Sequence, residues 1–266
     1  MRPSHQIDSR LLAVWTTAVC VFIVAPLFFI VAVSLTPSNF ISLPRDGLSL
    51  RWYAQLLRHP VFLEAGLNSL LLAFEAAATA LVLGVLAALA VVRHRFPLRE
   101  TVRIAVTAPL FVPMVMSGLA VLIFFSSVGW GSQPFRLYAA HCALTLPYVM
   151  RVMTASLTGF DMNQELAARN LGASPLRAFL LVTLPQLGPG LLAGGVFAFI
   201  VSFDNVGLSI FLTGARYKTL PVELFSYVAN ETDPMAAALS VVMIVLSIAV
   251  VLVVERVVGL QKLLRV

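Results

Sequence analysis

The sequence predicts an all-α integral membrane protein with six transmembrane helices and both termini on the cytoplasmic side. Three observations lead there. Of the 266 residues, 60% are hydrophobic and 11% are charged, whereas an ordinary soluble domain is about 25% charged. The apolar residues fall into runs: 11–44, 104–135, 178–203 and 234–254 hold no charge, and 65–92 holds only Glu75. Basic residues divide unequally between alternate loops. A chain this short of charge cannot cover a globular surface. Its 15 Gly, 15 Pro and 2 Cys also exclude the collagen-like, disordered and disulfide-scaffold classes.

An apolar stretch of about 18 residues or more reads as a transmembrane helix. The first span, about 12–35, is too long for a signal-peptide core and ends in no A-x-A-like cleavage site, so a retained signal anchor is expected. The outer segment 36–66 follows, with a short amphipathic helix expected from Trp52 to Leu57 on the membrane surface. The second span, about 67–92, repeats Ala76, Ala80, Gly84 and Ala88 every four residues. Such a small-residue seam lets membrane helices approach closely. Residues 93–103 form a basic inner turn, and the third span, about 104–127, carries Pro109 and Pro113. The fourth, about 137–158, is the weakest because His141 and Arg151 interrupt it. A cytoplasmic loop, 159–190, leads to the fifth span, about 191–213, and the sixth, about 235–257, follows Pro234. One transmembrane domain over 1–266 is the simplest organisation.

Orientation follows from the basic residues, which collect in cytoplasmic loops. With the N-terminus inside, the inner set is Arg2, Arg10, Arg93, Arg95, Arg99, Arg103, Arg151, Arg169, Arg177, Arg256, Lys262 and Arg265. The outer set is Arg45, Arg51, Arg58, Arg136, Arg216 and Lys218, half as many. The net charge of +6 is thereby a topology signal and carries no inference toward nucleic acid. Cys20 and Cys142 fall inside spans, so no disulfide framework or metal site is supported. Trp52, Tyr53, Trp130, Tyr138 and Tyr217 gather near the outer ends like an aromatic belt.

The loop 159–190 has helical punctuation of its own. Asp161 or Asn163 caps a short helix, and Glu165, Ala168, Arg169 and Gly172 then share one face at helical spacing. Gly172 closes that helix. Ser174 caps a second one with Pro175 in its first position, and Pro185 and Pro189 end it. Small residues at Ala167, Ala168, Gly172 and Ala173 would admit a partner backbone.

The run E-L-A-A-R-N-L-G-A, with T-L-P at Thr183 to Pro185, resembles the cytoplasmic signature of ABC-importer permeases. One departure is plain: Leu166 stands where the acid before the two alanines belongs, and the nearest carboxylate is Glu165. The resemblance covers essentially the whole chain and implies a type I ABC-importer permease fold. It also implies a multi-pass protein of the bacterial inner membrane. Asp161, Glu165, Ala167, Ala168, Arg169, Gly172, Ala173 and Pro185 would then form the coupling helix region that docks on the ATPase. A narrower resemblance rests on S-F-D-N (Ser202 to Asn205), L-S-I-F-L-T, T-L-P (Thr219 to Pro221) and F-S-Y (Phe225 to Tyr227). It is to the C-type permease of the polyamine (spermidine/putrescine) branch. Implied partners are an ATPase dimer, a second homologous permease in a hetero- or homodimer, and an extracytoplasmic binding protein. The substrate would be a small cationic amine, and ATP-Mg would sit on the ATPase subunits, none on this chain.

An ionisable side chain within the bilayer is costly unless paired or hydrated, and is a functional candidate by default. Glu75 and Asp204 qualify. Counted from the expected span ends, they lie about nine and about ten residues below the outer surface, roughly 14 and 15 Å. An acidic waist there, with Ser202 and Asn205 beside Asp204 in a wet cavity, would suit a compact polycation. A hydrogen-bonded structural acid, or pairing with Arg151, is the other reading of Asp204.

No G-x-x-x-x-G-K-[S/T], H-E-x-x-H or G-x-S-x-G occurs, so no nucleotide loop or hydrolase motif is present. Importers of opines, amino acids or aminophosphonates are the near alternatives. An ion-coupled secondary transporter is a distant one, and would show inverted repeats that are not seen. An intramembrane enzyme would need a matched catalytic set, and Asp204 and His141 each stand alone.

Overall fold

A computed structural model describes residues 9–258. The expected cytoplasmic residues Arg2, Lys262 and Arg265 lie outside them. Every regular element among the described residues is helical. Within those residues the chain divides into two compact units, 9–60 with 226–245 and 61–225 with 246–258.

In the first unit, α1 (Ser9–Ser34) is exposed along most of its length and buried only at its end, at Val33 and Ser34. There α2 (Arg51–Leu56) closes on it. The Ser34 and Tyr53 hydroxyls bond at 2.7 Å, and the Trp52 indole N–H donates to the Thr36 carbonyl at 3.0 Å. The short helix expected around Trp52 is present. Trp52 itself is buried, because its indole anchors the fold rather than an aromatic belt. The Asp233 carboxylate accepts from the Tyr227 hydroxyl and from the Met235 N–H, starting the last helix just past Pro234.

The second unit is built on α3 (Pro60–Arg93), α6 (Gln133–Thr158) and α10 (Gly188–Phe203). At 1.5 Å per residue, α3 is roughly 51 Å long, ample for a hydrocarbon core of about 30 Å. Its Ala73, Ala76, Ala80 and Ala88 are fully buried, so the small-residue seam does what its spacing implied. A Cβ added at Gly84 would lie 2.7 Å from Val149 Cγ1, and one at Gly194 would lie 3.6 Å from Val149 Cα. Val149 on α6 is thus wedged between a glycine of α3 and a glycine of α10. Lower down, Gly190 meets Ser156 in the same way.

Two expected spans differ from continuous helices. The third divides into α4 (Arg99–Thr107), a 3-10 turn (Ala108–Phe111) and α5 (Met114–Val128), bent by 110°. A residue before proline is driven out of the helical region, and Val112 is extended at ψ 130° ahead of Pro113. The fifth helix stops at Phe203 rather than continuing to about 213. The next residues include Asn205, whose carboxamide oxygen accepts the Leu208 N–H at 2.9 Å and so stabilises a turn. A 3-10 turn, Ser209–Phe211, follows. Ahead of α10 come α7 (Met162–Asn170), α8 (Pro175–Ala178), a π-helical turn (Phe179–Thr183) and α9 (Leu184–Gln186). The Leu184 N–H closes the π-turn on the Phe179 carbonyl just ahead of Pro185, which has no N–H to donate. The last described elements are α11 (Leu220–Asn230) and α12 (Met235–Val258).

Three described helices are long and apolar enough to cross a membrane, or five if each bent pair counts as one span. The 26-residue α6 has the length but carries Arg136, His141 and Arg151.

Candidate functional site

The loop 159–190 folds as its local chemistry dictates. Asp161 caps α7 by accepting the Asn163 N–H at 3.0 Å. The helix ends in a two-bond glycine cap: Ala173 N–H donates to the Ala168 carbonyl at 3.1 Å, and Gly172 N–H to Arg169 at 3.0 Å. Gly172 takes φ +93°, and no atom lies within 4 Å of where its Cβ would be. Ser174 then caps α8 by accepting from the Arg177 N–H at 3.4 Å, with Pro175 first in the helix.

The face expected to be shared by Glu165, Ala168, Arg169 and Gly172 divides. Glu165 is 7% exposed and points inward, whereas Leu166, Ala167, Arg169 and Gly172 are exposed, as is Pro185. Ala168 and Ala173 are half-buried. The outer surface of the loop sets exposed leucines, Leu171 at 90% and Leu176 at 68%, among exposed polar groups such as Gln164, Arg169 and Arg177. Both Glu165 oxygens accept from Arg93, at 3.3 and 2.7 Å, and Thr183 donates its hydroxyl to Oε2. The Phe160 and Phe179 rings flank the guanidinium at 6.0 and 5.6 Å. Burial alone would raise the Glu165 carboxyl, but the Thr183 and Arg93 hydrogen bonds and the Arg93 charge outweigh it and hold the group below its ordinary range. Sequence reasoning missed Arg93, taken there as a topology charge, and Thr183, seen only as part of a motif. An arginine ending a span opposite an acid in a later loop was the available signal.

The membrane acids do not gather into one cavity. Glu75 is exposed on α3, beside Leu71 and Phe74 at 59% and 60%. Because α3 begins at Pro60, Glu75 lies fifteen residues (75 − 60) along it, roughly 23 Å from that end of the helix. Its charge reaches the segment after the fifth span: burial raises the Tyr217 phenol, and Glu75 adds to the shift. Tyr217 is held there by its hydroxyl, which donates to Asn68, and by its carbonyl, which accepts from Gln133.

Asp204 is exposed immediately beyond α10. Its expected companions turn away from it. Ser202 is buried and bonds His141 Nδ1 at 2.7 Å, while His141 Nε2 reaches Ser209 at 2.9 Å. Asn205 is buried, with its oxygen on Leu208 and its nitrogen 3.5 Å from Met114 Sδ. Ser202, His141, Asn205 and Ser209 therefore brace the turn after α10, and Asp204 stands clear of it. Arg151 is exposed and lines a cavity of about 400 Å³ with Arg103, Ile104 and Thr107.

Residues 80–260 match the family described as binding-protein-dependent transport system inner membrane component. The chain is 34% identical over 226 residues to the putrescine transport system permease protein PotI of Escherichia coli (strain K12), spanning 82% of this chain and 80% of that one. It is 32% identical over 230 residues to the spermidine/putrescine transport system permease protein PotC of Haemophilus influenzae, spanning 86% and 89%. Its fold is similar to a chain of a bacterial ABC transporter involved in the import of the acidic polysaccharide alginate. The TM-score there is 0.66, at 18% identity, over 97% of this chain and 98% of that one. At that identity the likeness concerns the fold alone.

Proposed function

Because this chain belongs to the family of binding-protein-dependent transport system inner membrane components, we propose that it forms half of the translocation path of an ATP-driven importer for a spermidine- or putrescine-like amine. It is a transport subunit, not an enzyme. The observation that carries the substrate class is the likeness to PotI and PotC, which runs through more than four-fifths of the chain. Asp204 supports it chemically, since an exposed carboxylate at the end of a membrane helix is the kind of group that steps a polycation through a low-dielectric region.

The working assembly would contain this chain as one transmembrane domain, a second homologous permease, two ATPase subunits and an extracytoplasmic binding protein. ATP-Mg is held by the ATPase subunits. Their closure pushes on the loop around Asp161–Ala173, whose exposed apolar rim of Leu166 and Leu171 suits a groove on a protein partner. Coupling of this kind joins two sites, the nucleotide pair and the substrate path, through inward- and outward-open states.

The test is uptake of labelled spermidine and putrescine by cells lacking their own polyamine importers, with and without the complete system. Uptake should be saturable, blocked by vanadate and competed by polyamines. Competition by amino acids, opines or aminophosphonates instead would replace the substrate class, and block by a proton uncoupler alone would replace the energy source. Asp204→Asn should weaken uptake of polyamines more than that of a monoamine. An equal effect on both would remove Asp204 from the path.

A further inference from the structure

We propose that Arg93 and Glu165 are a positioning pair that carries the movement of the cytoplasmic loop into α3, and through the Val149 wedge into α6 and α10. This rests on the reading of that loop as the ATPase contact. It adds a route inside the chain that the reading itself does not specify.

Three segments distant in sequence meet at one carboxylate. Arg93 is the last residue of α3, Glu165 lies in the first turn of α7, and Thr183 closes the π-turn. Arg93 holds both Glu165 oxygens at 3.3 and 2.7 Å, and Thr183 donates to Oε2 while lying 3.5 Å from the guanidinium. Paired, charge-assisted bonds fix orientation as well as distance. Burial shields the pair from solvent screening: Glu165 is 7% and Thr183 0% exposed, and the arginine side chain is 17% exposed between two aromatic rings. Neither half of the loop is therefore free to slide past the end of α3 while the pair holds.

Beyond Arg93 the connection is stiff. Gly84 of α3 packs directly on Val149 and the Met150 backbone of α6, with no space for even one added methyl group between them, and the alanines of α3 are buried as well. Gly194 and Gly190 hold α10 to the same helix. A displacement delivered at Arg93 is thus shared by three helices. The geometry also separates this role from docking. Both Glu165 oxygens are already taken inside the chain, and the outward side of the loop is presented by Leu166, Ala167, Arg169 and Leu171. The acid that remains beside the missing motif acid at Leu166 faces inward, not toward a partner.

The experiment uses the complete transporter in proteoliposomes, with copurification of the ATPase subunits, ATP hydrolysis and amine uptake all measured. Glu165→Gln and Arg93→Gln are expected to keep the ATPase subunits bound and to lower the amine moved per ATP hydrolysed about tenfold, within the range of measured coupling effects. The exchange of Arg93→Glu with Glu165→Arg is expected to recover most of that ratio. Thr183→Val removes one bond to the same carboxylate without stranding a charge, and so serves if the charge variants fail to insert. It should lower the ratio severalfold. An unchanged ratio in any of these variants overturns the proposal. So does loss of the ATPase subunits in Glu165→Gln, which would make Glu165 a docking group. Leu171→Asp tests the underlying reading separately and is expected to release the ATPase subunits. If they stay bound, the loop reading itself fails, and the proposal with it.

Discussion

Single residues in the loop carry separable physical roles. Gly172 holds φ +93° with open space around its missing Cβ, so what a replacement meets there is backbone strain and not a clash. A left-handed conformation costs an L-residue about 1–2 kcal/mol, and Asn tolerates it better than a β-branched residue. Gly172→Asn should therefore retain most uptake and Gly172→Val little, measured at equal membrane expression. Similar loss in both would point to a need for the bare backbone itself. Glu165 makes a pH prediction. Its folded pKa lies below the ordinary 4.5, so the stabilisation is fully present above the unfolded value and disappears as pH falls through the lower folded one. The difference in thermal stability between the native protein and Glu165→Gln should hold steady from about pH 7 to about pH 5 and narrow only below that. A difference already narrowing near neutrality would mean that the Arg93 bond does not dominate the site.

Among the elements, α3 and α10 are positioned against α6 by what their glycines omit. At Gly84 a Cβ would lie 2.7 and 2.9 Å from Val149 Cγ1 and Cβ and 3.2 Å from the Met150 nitrogen, none of them the end of a flexible side chain. Overpacking of this kind costs about 1–3 kcal/mol. Gly84→Ala should lower thermal stability by that order, and Val149→Ala in the same chain should return part of it. Purely additive losses would show that the two positions do not touch, since contacting sites depart from additivity. The broken elements follow from backbone rules: Pro113 forces Val112 out of the helical region, and the Asn205 side chain secures the turn after Phe203.

For the molecule as a whole, the legible part of the sequence was the local part. Asp161, Gly172 and Ser174 declared the loop helices because each cap is satisfied within a few residues. The alanine seam showed in its spacing. Pro109 and Pro113 marked where the third span can kink, but the 110° size of the bend was hidden because a charge-free run reads the same straight or folded back. The early end of α10 was hidden because apolar residues resume at Leu208–Leu212. The Arg93–Glu165 pair spans 72 residues and has no local signature. Neither has the His141 bridge between Ser202 and Ser209.

The wedge at Val149 limits how many parts of this unit can move independently. Three helices that share one side chain behave as a single lever, so shape change must be taken up where helical hydrogen bonding is interrupted. The bend at Pro113 is such a place. Spin labels at the exposed positions Leu83 and Phe197 should keep one separation in nucleotide-free and vanadate-trapped transporters. A label at the exposed Ile123, on α5 beyond that bend, should change its distance to Leu83. Comparable changes in both distances would mean that the lever flexes. If the first distance is constant, α3, α6 and α10 contribute one moving body to the stroke of the transporter, not three.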